Sequence, residues 1–414
     1  MDLATRRWRR SLFLFFFLTG LSISSWVTRT PDIRDRLGAS TAEMGIILFG
    51  LSAGSMVGIL SSGPLVSRFG TRPVIGVGNF LIVISVSLIG CGSLASWAPA
   101  VFVGLFTFGA GMGAAEIATN VDGVEIERTT GTTAMTTLHG CFSLGTVIGA
   151  VCGIAATTQQ LPTYWHLLAV TCVSLAMFLY ALRAVPSGTG VRTPTTTTHE
   201  EFPVAAPKVW RDPRLVLIGV IVLAMALAEG AANDWLPLLM VDGHGLDAAQ
   251  GSLVYAGFAA AMTIGRFCGS FFLDRFGRAM VVRAGAVSGA VGVALVIFAD
   301  NALLAGAAVL FWGLGASLGF PVALSAAGDS GPNATARVSL VATIGYVAFL
   351  VGPPSLGFLG EHYGLRTAMI VVLACVTVAI FIAPAAGGRA STAQVSGSAR
   401  EATGLSERQS ERRG

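Results

Sequence analysis

A carboxylate, Glu116, lies within the apolar stretch 98–119, which is long enough to cross a bilayer. A charge inside the hydrocarbon layer costs several kcal/mol, so such residues are rare there and usually face water or a partner. Because desolvation favours the protonated form of a carboxylate, this group can exchange a proton near neutral pH. Glu116 is therefore our first candidate for coupling a proton to the movement of another solute. The alternative is a glutamate at a helix end that reaches out to water.

Two later apolar stretches also carry polar side chains. Glu229, Asn233 and Asp234 are spaced so that the first two share a helix face and the third lies about 100° round it. Two carboxylates this close repel each other, so one of them can retain its proton. Arg266 in the next stretch supplies a counter-charge. We interpret these residues as a charge network lining a cavity, with proton coupling by Glu229 or Asp234 beside Glu116; a purely structural ion pair is the alternative.

Three more side chains are candidates for the wall of such a cavity. Arg29 can bind an anionic group or sit at the outer membrane interface. Trp235 and Tyr346 can stack on a sugar or an apolar ring, although interfacial or core packing is the commoner role of such residues.

The composition predicts a membrane protein, because 53% of the residues are hydrophobic, only 12% are charged and the mean hydropathy is +0.73. The apolar runs reach the roughly 20 residues that a transmembrane helix needs and lack the alternation of barrel strands. We expect an all-α membrane protein with twelve spans: 11–31, 43–66, 74–96, 98–121, 136–157, 163–185, 213–240, 251–272, 280–299, 302–326, 337–359 and 365–384.

Basic residues set the expected orientation. They concentrate in the N-terminus, the even-numbered connections and the C-terminal tail, whereas Arg29, Arg34, Arg36 and Arg366 alone fall on the opposite side. Both termini are therefore expected in the cytoplasm. The net charge of +4 reflects this topology and does not indicate nucleic-acid binding, because the basic residues are scattered over separate loops.

The spans divide into two sets of six. We expect a cytoplasmic N-terminus (1–10), a first half (11–185), a polar cytoplasmic linker (186–212), a second half (213–384) and a Gly/Ser/Arg/Glu-rich cytoplasmic tail (385–414). The linker is polar and repetitive, a composition typical of disorder, and the tail is poor in core-forming residues.

One short motif occurs in both halves. After the second span, 63–72 reads Gly-Pro-Leu-Val-Ser-Arg-Phe-Gly-Thr-Arg, and after the eighth, 269–278 reads Gly-Ser-Phe-Phe-Leu-Asp-Arg-Phe-Gly-Arg. Glycine permits a tight turn, and arginine can bridge helix C-termini and carboxylates across loops. Simple cytoplasmic anchoring of the arginines is the alternative. Two repeated halves are the plan of a secondary transporter, whose site lies between them at mid-membrane.

Both copies resemble the motif Gly-x-Leu-x-Asp-Arg-x-Gly-Arg-Arg of the major facilitator superfamily, and the resemblance covers about residues 10–385. It implies twelve helices in two pseudo-symmetric halves, with a latch that closes the cytoplasmic side when the carrier is open to the outside. Ser67 stands where the family has Asp, so the first-half latch is expected to be weaker or to rely on the second copy. The matching gate residues are Arg68, Gly70, Arg72, Asp274, Arg275, Gly277 and Arg278.

Within that superfamily, three stretches resemble the YbjJ-type permeases and their fucose-permease relatives: 24–31, 116–145 and 228–267. Fucose permeases carry a similar Glu-x-x-x-Asn, which here is Glu116 and Asn120. The resemblance implies a role in proton coupling for the glutamate, and it places His139 where those permeases hold sugar. A helix carbonyl is an equally good partner for a neutral histidine. The aspartate that those permeases carry in helix one has no match within 18–26.

We therefore expect a proton-coupled secondary transporter that moves a small, sugar-like solute across the cell membrane by alternating access. Proton-driven export of an antibiotic or secondary metabolite is one alternative, and a receptor that binds without transporting is another. The sequence contains no Gly-x-x-x-x-Gly-Lys-Ser/Thr loop, metal-spaced Cys/His cluster or Gly-x-Ser-x-Gly motif. We expect no enzymatic activity, cofactor or metal, and a monomer whose partners are the substrate, protons and the bilayer.

Overall fold

The computed structural model describes residues 2–130, 135–191, 209–331 and 334–387, which are mostly helical, with no strand among them. The predicted all-α fold is confirmed. Most of the predicted linker and tail lie outside the described residues. The helices are α1 (Leu3–Val27), α2 (Thr30–Leu37), α3 (Thr41–Phe69), α4 (Thr71–Leu94), α5 (Ala98–Thr130), α6 (Met135–Thr158), α7 (Thr163–Leu182), α8 (Pro213–His244), α9 (Ala248–Phe298), α10 (Ala302–Gly328), α11 (Ala334–Tyr363) and α12 (Leu365–Ile382).

Eleven of the described helices are long and apolar enough to cross a membrane. One of them, α9, contains both the eighth and the ninth predicted span and is broken at Gly277, where φ is +75°. The twelve predicted spans therefore all have helical counterparts. Most of their ends shift by a few residues, but α1 begins at Leu3 rather than at residue 11, and α5 ends at Thr130 rather than at residue 121. The first span ends at Val27 rather than at residue 31 because the short helix α2 begins at Thr30.

The two halves use the same local signals to start and break corresponding helices. Ser40 and Glu43 form a reciprocal capping box at the start of α3, and Asp247 and Gln250 form one at the start of α9. Each box is followed at the same distance along the chain by a glycine with positive φ, which ends α3 in one half and breaks α9 in the other. Only glycine adopts this conformation without strain, so both turns depend on it.

Small residues let neighbouring helices approach closely, as in other membrane bundles. A Cβ at Gly145 of α6 would lie 2.2 Å from the carbonyl oxygen of Phe17 in α1, and one at Gly20 would lie 2.0 Å from that of Phe142. These glycines therefore fix the crossing of α1 and α6 within the first half. The halves meet along two further helix pairs, α3 with α11 and α6 with α9.

The bundle is closed at one end by polar contacts between the halves. Arg34 of α2 forms an ion pair with Asp242 of α8, and the backbone N–H of Ala42 donates to the Glu361 carboxylate at 3.2 Å. Three aromatic side chains near this end, Trp26, Trp235 and Tyr255, are at most 1% exposed. We call it the closed end, and the opposite end, which contains Gly70 and Gly277, the glycine-turn end.

Candidate functional site

A cavity of about 1080 Å³ lies between the two halves. Its wall includes Glu116 and Glu229 in the middle of the bundle and continues to Asp274, Gly277 and Arg278 at the glycine-turn end. The cavity therefore opens at that end, while the contacts described above shut the other. A solute in the middle of the bundle has access from one side only.

Close packing of α5 on one side determines which of its residues face the cavity. A Cβ at Gly111 would lie 2.5 Å from a backbone oxygen of α4, and one at Gly113 would lie 2.6 Å from a backbone oxygen of α3. These glycines bring α5 against both neighbours, so the remaining face is left for the cavity. That face carries Met112, Glu116 and Thr119, spaced one turn apart.

The Glu116 side chain is exposed to the cavity and forms no hydrogen bond or ion pair with any residue of the described chain. Arg266 and Glu229 are near enough for their charges to act on it. The partners available to this carboxylate are therefore water and a bound solute. It can therefore gain or lose a proton without breaking a protein contact.

The second half contributes a charge network to the facing wall. Arg266 donates to the Glu229 carboxylate at 2.9 Å, and the two side chains are 29% and 15% exposed. Asn233 and Asp234 of the same helix also line the cavity, and the hydroxyl of Tyr255 approaches the Asn233 Oδ1 at 3.5 Å. Arg266 thus pairs with Glu229, and Asp234 remains on the wall as a second carboxylate.

Rings complete the wall around Glu116. His139 of α6 is exposed to the cavity and lies edge-on to Phe16 of α1, with ring centroids 5.1 Å apart at 76°. Tyr346 of α11 also lines the cavity and is close enough to Glu116 to feel its charge. The structure therefore brings together seven of the predicted residues: Glu116, His139, Glu229, Asn233, Asp234, Arg266 and Tyr346.

Three predicted wall residues lie outside the lining of the cavity, each for a physical reason. Arg29 is buried near the closed end, where it donates to Thr163 at 2.8 Å and to Thr157 at 2.6 Å. Trp235 is fully buried, and its ring packs 3.1 Å from the position of a Cβ on Gly357. Asn120 is next to the lining residue Thr119, but helical rotation turns it away from the wall.

The predicted gate residues all lie at the glycine-turn end, and their described polar contacts stay within one half. Arg278 donates to Asp329 at 2.6 Å and to Ser325 at 3.0 Å, both at the end of α10. Ser67, which replaces the expected aspartate, donates to the Pro64 carbonyl of its own helix at 2.9 Å. These described contacts therefore do not join the two halves at this end. The other predicted gate residues here are Arg68, Gly70, Arg72, Asp274, Arg275 and Gly277.

Several wall residues were missed by sequence reasoning. Phe16 was missed because an aromatic residue within an apolar run also fits a lipid-facing position. Ser143 and Thr146 were missed although they follow His139 at i+4 and i+7, a spacing that shares its helix face. That spacing was the signal available in the sequence.

Two six-helix halves around a polar central cavity define the class of secondary transporters. The chain belongs to the Major Facilitator Superfamily, whose family model matches residues 12–339. An uncharacterized MFS-type transporter of Yersinia pestis is 29% identical over 368 residues, which cover 88% of this chain and 92% of that protein. The predicted family and the multi-pass membrane fold are thus confirmed.

Solved structures show the same fold. A mutant form of the nucleoside transporter NupG superposes with a TM-score of 0.76 at 13% identity, covering 92% of this chain and 99% of its own. A variant of the fucose:proton symporter FucP of E. coli gives a TM-score of 0.64 at 19% identity and covers 92% and 98%. At these identities the likeness concerns the fold alone.

Proposed function

We propose that this protein is a proton-coupled secondary transporter of the bacterial inner membrane, in which Glu116 carries the proton. The observation that carries the proposal is the unpaired Glu116 carboxylate on the wall of a cavity that lies between two halves. Glu229 and Asp234 are the further candidate proton sites, and Arg266 balances Glu229. A change in the charge of Glu116 alters the electrostatic potential at its own wall and at the facing wall that carries Glu229 and Arg266.

Alternating access follows from the two ends of the bundle. The cavity is open at the glycine-turn end, and the arginine distribution assigns this end, together with both termini, to the cytoplasm. Transport requires the contacts of the closed end, such as Arg34 with Asp242, to separate while the gate residues come together. In the proposed cycle, this conformation is the inward-open state.

For the transported solute we favour a small sugar-like molecule. This preference rests on the resemblance to fucose permeases and on a wall that combines Asn233, His139 and Tyr346 with aromatic rings. Export of an antibiotic or secondary metabolite is the second candidate, and it is supported by the many apolar residues of the wall, among them Phe320 and Phe349.

The experiment is a proton-flux measurement on purified protein in liposomes, with a sugar panel and a panel of amphipathic antimicrobials added in turn. We expect one panel to evoke proton movement and Glu116→Gln to reduce it to the level of protein-free liposomes. Glu125→Gln is the matched control, because Glu125 lies on the same helix but pairs with Arg128 outside the cavity. Full proton-coupled accumulation by Glu116→Gln would remove Glu116 from this role.

A further inference from the structure

On the described cavity wall, the negatively charged side chains outnumber the positively charged ones, and only the positive ones are all paired. The described lining contains four carboxylates and two guanidinium groups. Both guanidinium groups are already paired, Arg266 with Glu229 and Arg278 with Asp329. The described wall therefore offers no unpaired cation to a solute, whereas it does offer an unpaired carboxylate. The four carboxylates are Glu116, Glu229, Asp234 and Asp274.

As long as His139 is neutral, the net charge of the central wall is zero or negative in every protonation state that keeps the Glu229–Arg266 pair. With that pair neutral overall, Glu116 and Asp234 each contribute either no charge or one negative charge. His139 is the other described basic group of the central wall, and an ordinary imidazole is mostly neutral at pH 7. An anionic solute therefore meets no compensating charge there, and Glu116 repels it once ionised.

Aromatic rings on the same cavity wall suit a cation. Phe16 and His139 form an edge-to-face pair at 5.1 Å, and Tyr346 lies close to the carboxylate from the side of the second half. The faces of aromatic rings attract cations, and the attraction increases when the group is shielded from water. A cavity whose wall carries both an unpaired carboxylate and aromatic rings suits an ammonium group with an organic body.

We propose that the solute of this transporter carries a protonated amine, which forms an ion pair with Glu116, and that carboxylic acids are rejected. The inference rests on the proposed function and specifies its substrate class. Because one carboxylate serves both partners, proton and amine compete: the Glu116 acid releases its proton to water when the ammonium group binds, and takes a proton back when the amine leaves.

The test measures the reactivity of Glu116 itself. Dicyclohexylcarbodiimide activates protonated carboxyl groups in apolar surroundings, and the activated group ends as an N-acylurea or, with a primary amine, as an amide. Mass spectrometry of the purified full-length protein therefore measures the rate at which the unmodified Glu116 peptide disappears, at equal concentrations of remaining carbodiimide, so that both products count as modification. The probes are two matched sets, glucosamine, glucose and glucuronate, and phenethylamine, phenylethanol and phenylacetate. We expect at least one amine to slow the reaction by about tenfold, at concentrations where its neutral and acidic counterparts have no effect. Glu116→Gln must remove the modified peptide.

The outcomes separate this inference from the function on which it rests. Rapid modification that no amine slows up to its solubility limit, or that an alcohol or acid slows equally, overturns the amine proposal and leaves Glu116 as a proton carrier. An unreactive Glu116 in the wild-type protein overturns its role as proton carrier, and the amine proposal fails with it. Glu116→Asp retains a carboxylate, so protection by the amine should persist in that variant.

Discussion

The two halves of the bundle share a backbone plan but hold their charges differently. In the first half, Glu116 on the cavity wall and Asp122 near the glycine turn form no ion pair within the described chain. In the second half, three ion pairs lie at the cavity, at the turn and at the start of α8: Glu229 with Arg266, Arg278 with Asp329 and Asp212 with Arg337. Asp234 and Asp274 of that half also line the cavity and form no ion pair within the described chain. We infer that the ion pairs of the second half form a fixed charge pattern and that Glu116, in the first half, is the main group that changes charge.

The glycine turns show the same contrast in detail. Asp122 and Asp329 stand at the same distance along the chain from the glycines of their turns. Asp329 is 67% exposed and pairs with Arg278. Asp122 is fully buried and accepts a hydrogen bond from the indole of Trp8 at 2.8 Å, and the first half has Thr71 in place of the arginine. The second turn therefore has an exposed ion pair where the first turn has a buried aspartate with a neutral hydrogen-bond donor.

The start of the linker adds a second difference between the turns. The N–H of Thr71 donates to the Thr189 carbonyl at 2.9 Å, and a Cβ on Gly70 would lie 3.1 Å from the same oxygen. A Cβ on Gly277 would meet nothing within 4 Å in the described structure. The first turn is therefore covered by the segment that leads to the second half, and the second turn is open.

The largest effect should come from breaking the central pair. Arg266→Gln leaves the Glu229 carboxylate on the wall without its counter-charge, and removal of one member of a fully buried pair costs about 3–5 kcal/mol. This pair faces a cavity, so we expect a loss of about 1–3 kcal/mol in the free energy of unfolding, together with loss of transport. Thermal unfolding in detergent and liposome uptake measure the two effects.

The double variant Arg266→Gln with Glu229→Gln is the matched control for that experiment. It removes both charges and should recover most of the lost stability, because no uncompensated carboxylate remains. If the single and the double variant are equally destabilised, the stabilising contribution of Arg266 lies in packing rather than in its charge.

A smaller effect should distinguish the two turns. Trp8→Phe removes the donor to buried Asp122 and leaves its carboxyl oxygen without a partner, which costs about 1–3 kcal/mol. Asp329→Asn weakens an exposed pair, which is worth roughly 0–1 kcal/mol. Chemical unfolding of both variants under one set of conditions checks the ranking. Equal losses would show that the two turns are stabilised to the same extent, despite their different partners.

The fold followed from the sequence because its signals are local. Apolar length predicted the spans, and the glycine of each repeated motif marked a turn, including the break of α9 at Gly277. The charged residues of the candidate site were also predicted, because Glu116, Glu229 and Arg266 stand out in apolar stretches of the sequence. A charged residue in a membrane span usually faces a water-filled cavity or pairs with another polar group.

The rest of the site depends on information that local spacing does not contain. Arg29 is held by Thr157 and Thr163, and Trp235 packs beside Gly357. These contacts join different helices of one half, and helical periodicity does not encode them. The ion pair of Arg34 with Asp242 joins residues from different halves, so the sequence around either residue does not predict it. Phe16 faces the cavity because α1 crosses α6 closely, a consequence of glycines on both helices.

The smallest predicted effect is a pH dependence of the second half. Asp212, at the start of α8 outside the spans, accepts hydrogen bonds from Arg337 at 2.7 Å and from the N–H of Arg214 at 3.0 Å. The Arg337 guanidinium, followed by the backbone donors of α8, holds the pKa of Asp212 below its ordinary value. The pair therefore stabilises the folded state above the unfolded-state pKa of about 3.9. This stabilisation is lost as the pH falls through the lower, folded-state pKa.

Asp212→Asn measures that contribution directly. The unfolding midpoint of the variant should lie below that of the wild type by a constant amount above about pH 5, and the gap should narrow below about pH 4 as the wild-type carboxylate is protonated. Arg337→Gln should lose the same acid dependence, because it removes the charge that lowers the pKa of Asp212. If the gap kept its full size at the acid limit, Asp212 would act as a neutral helix cap, and the contrast between paired and unpaired charges would not extend to the start of α8.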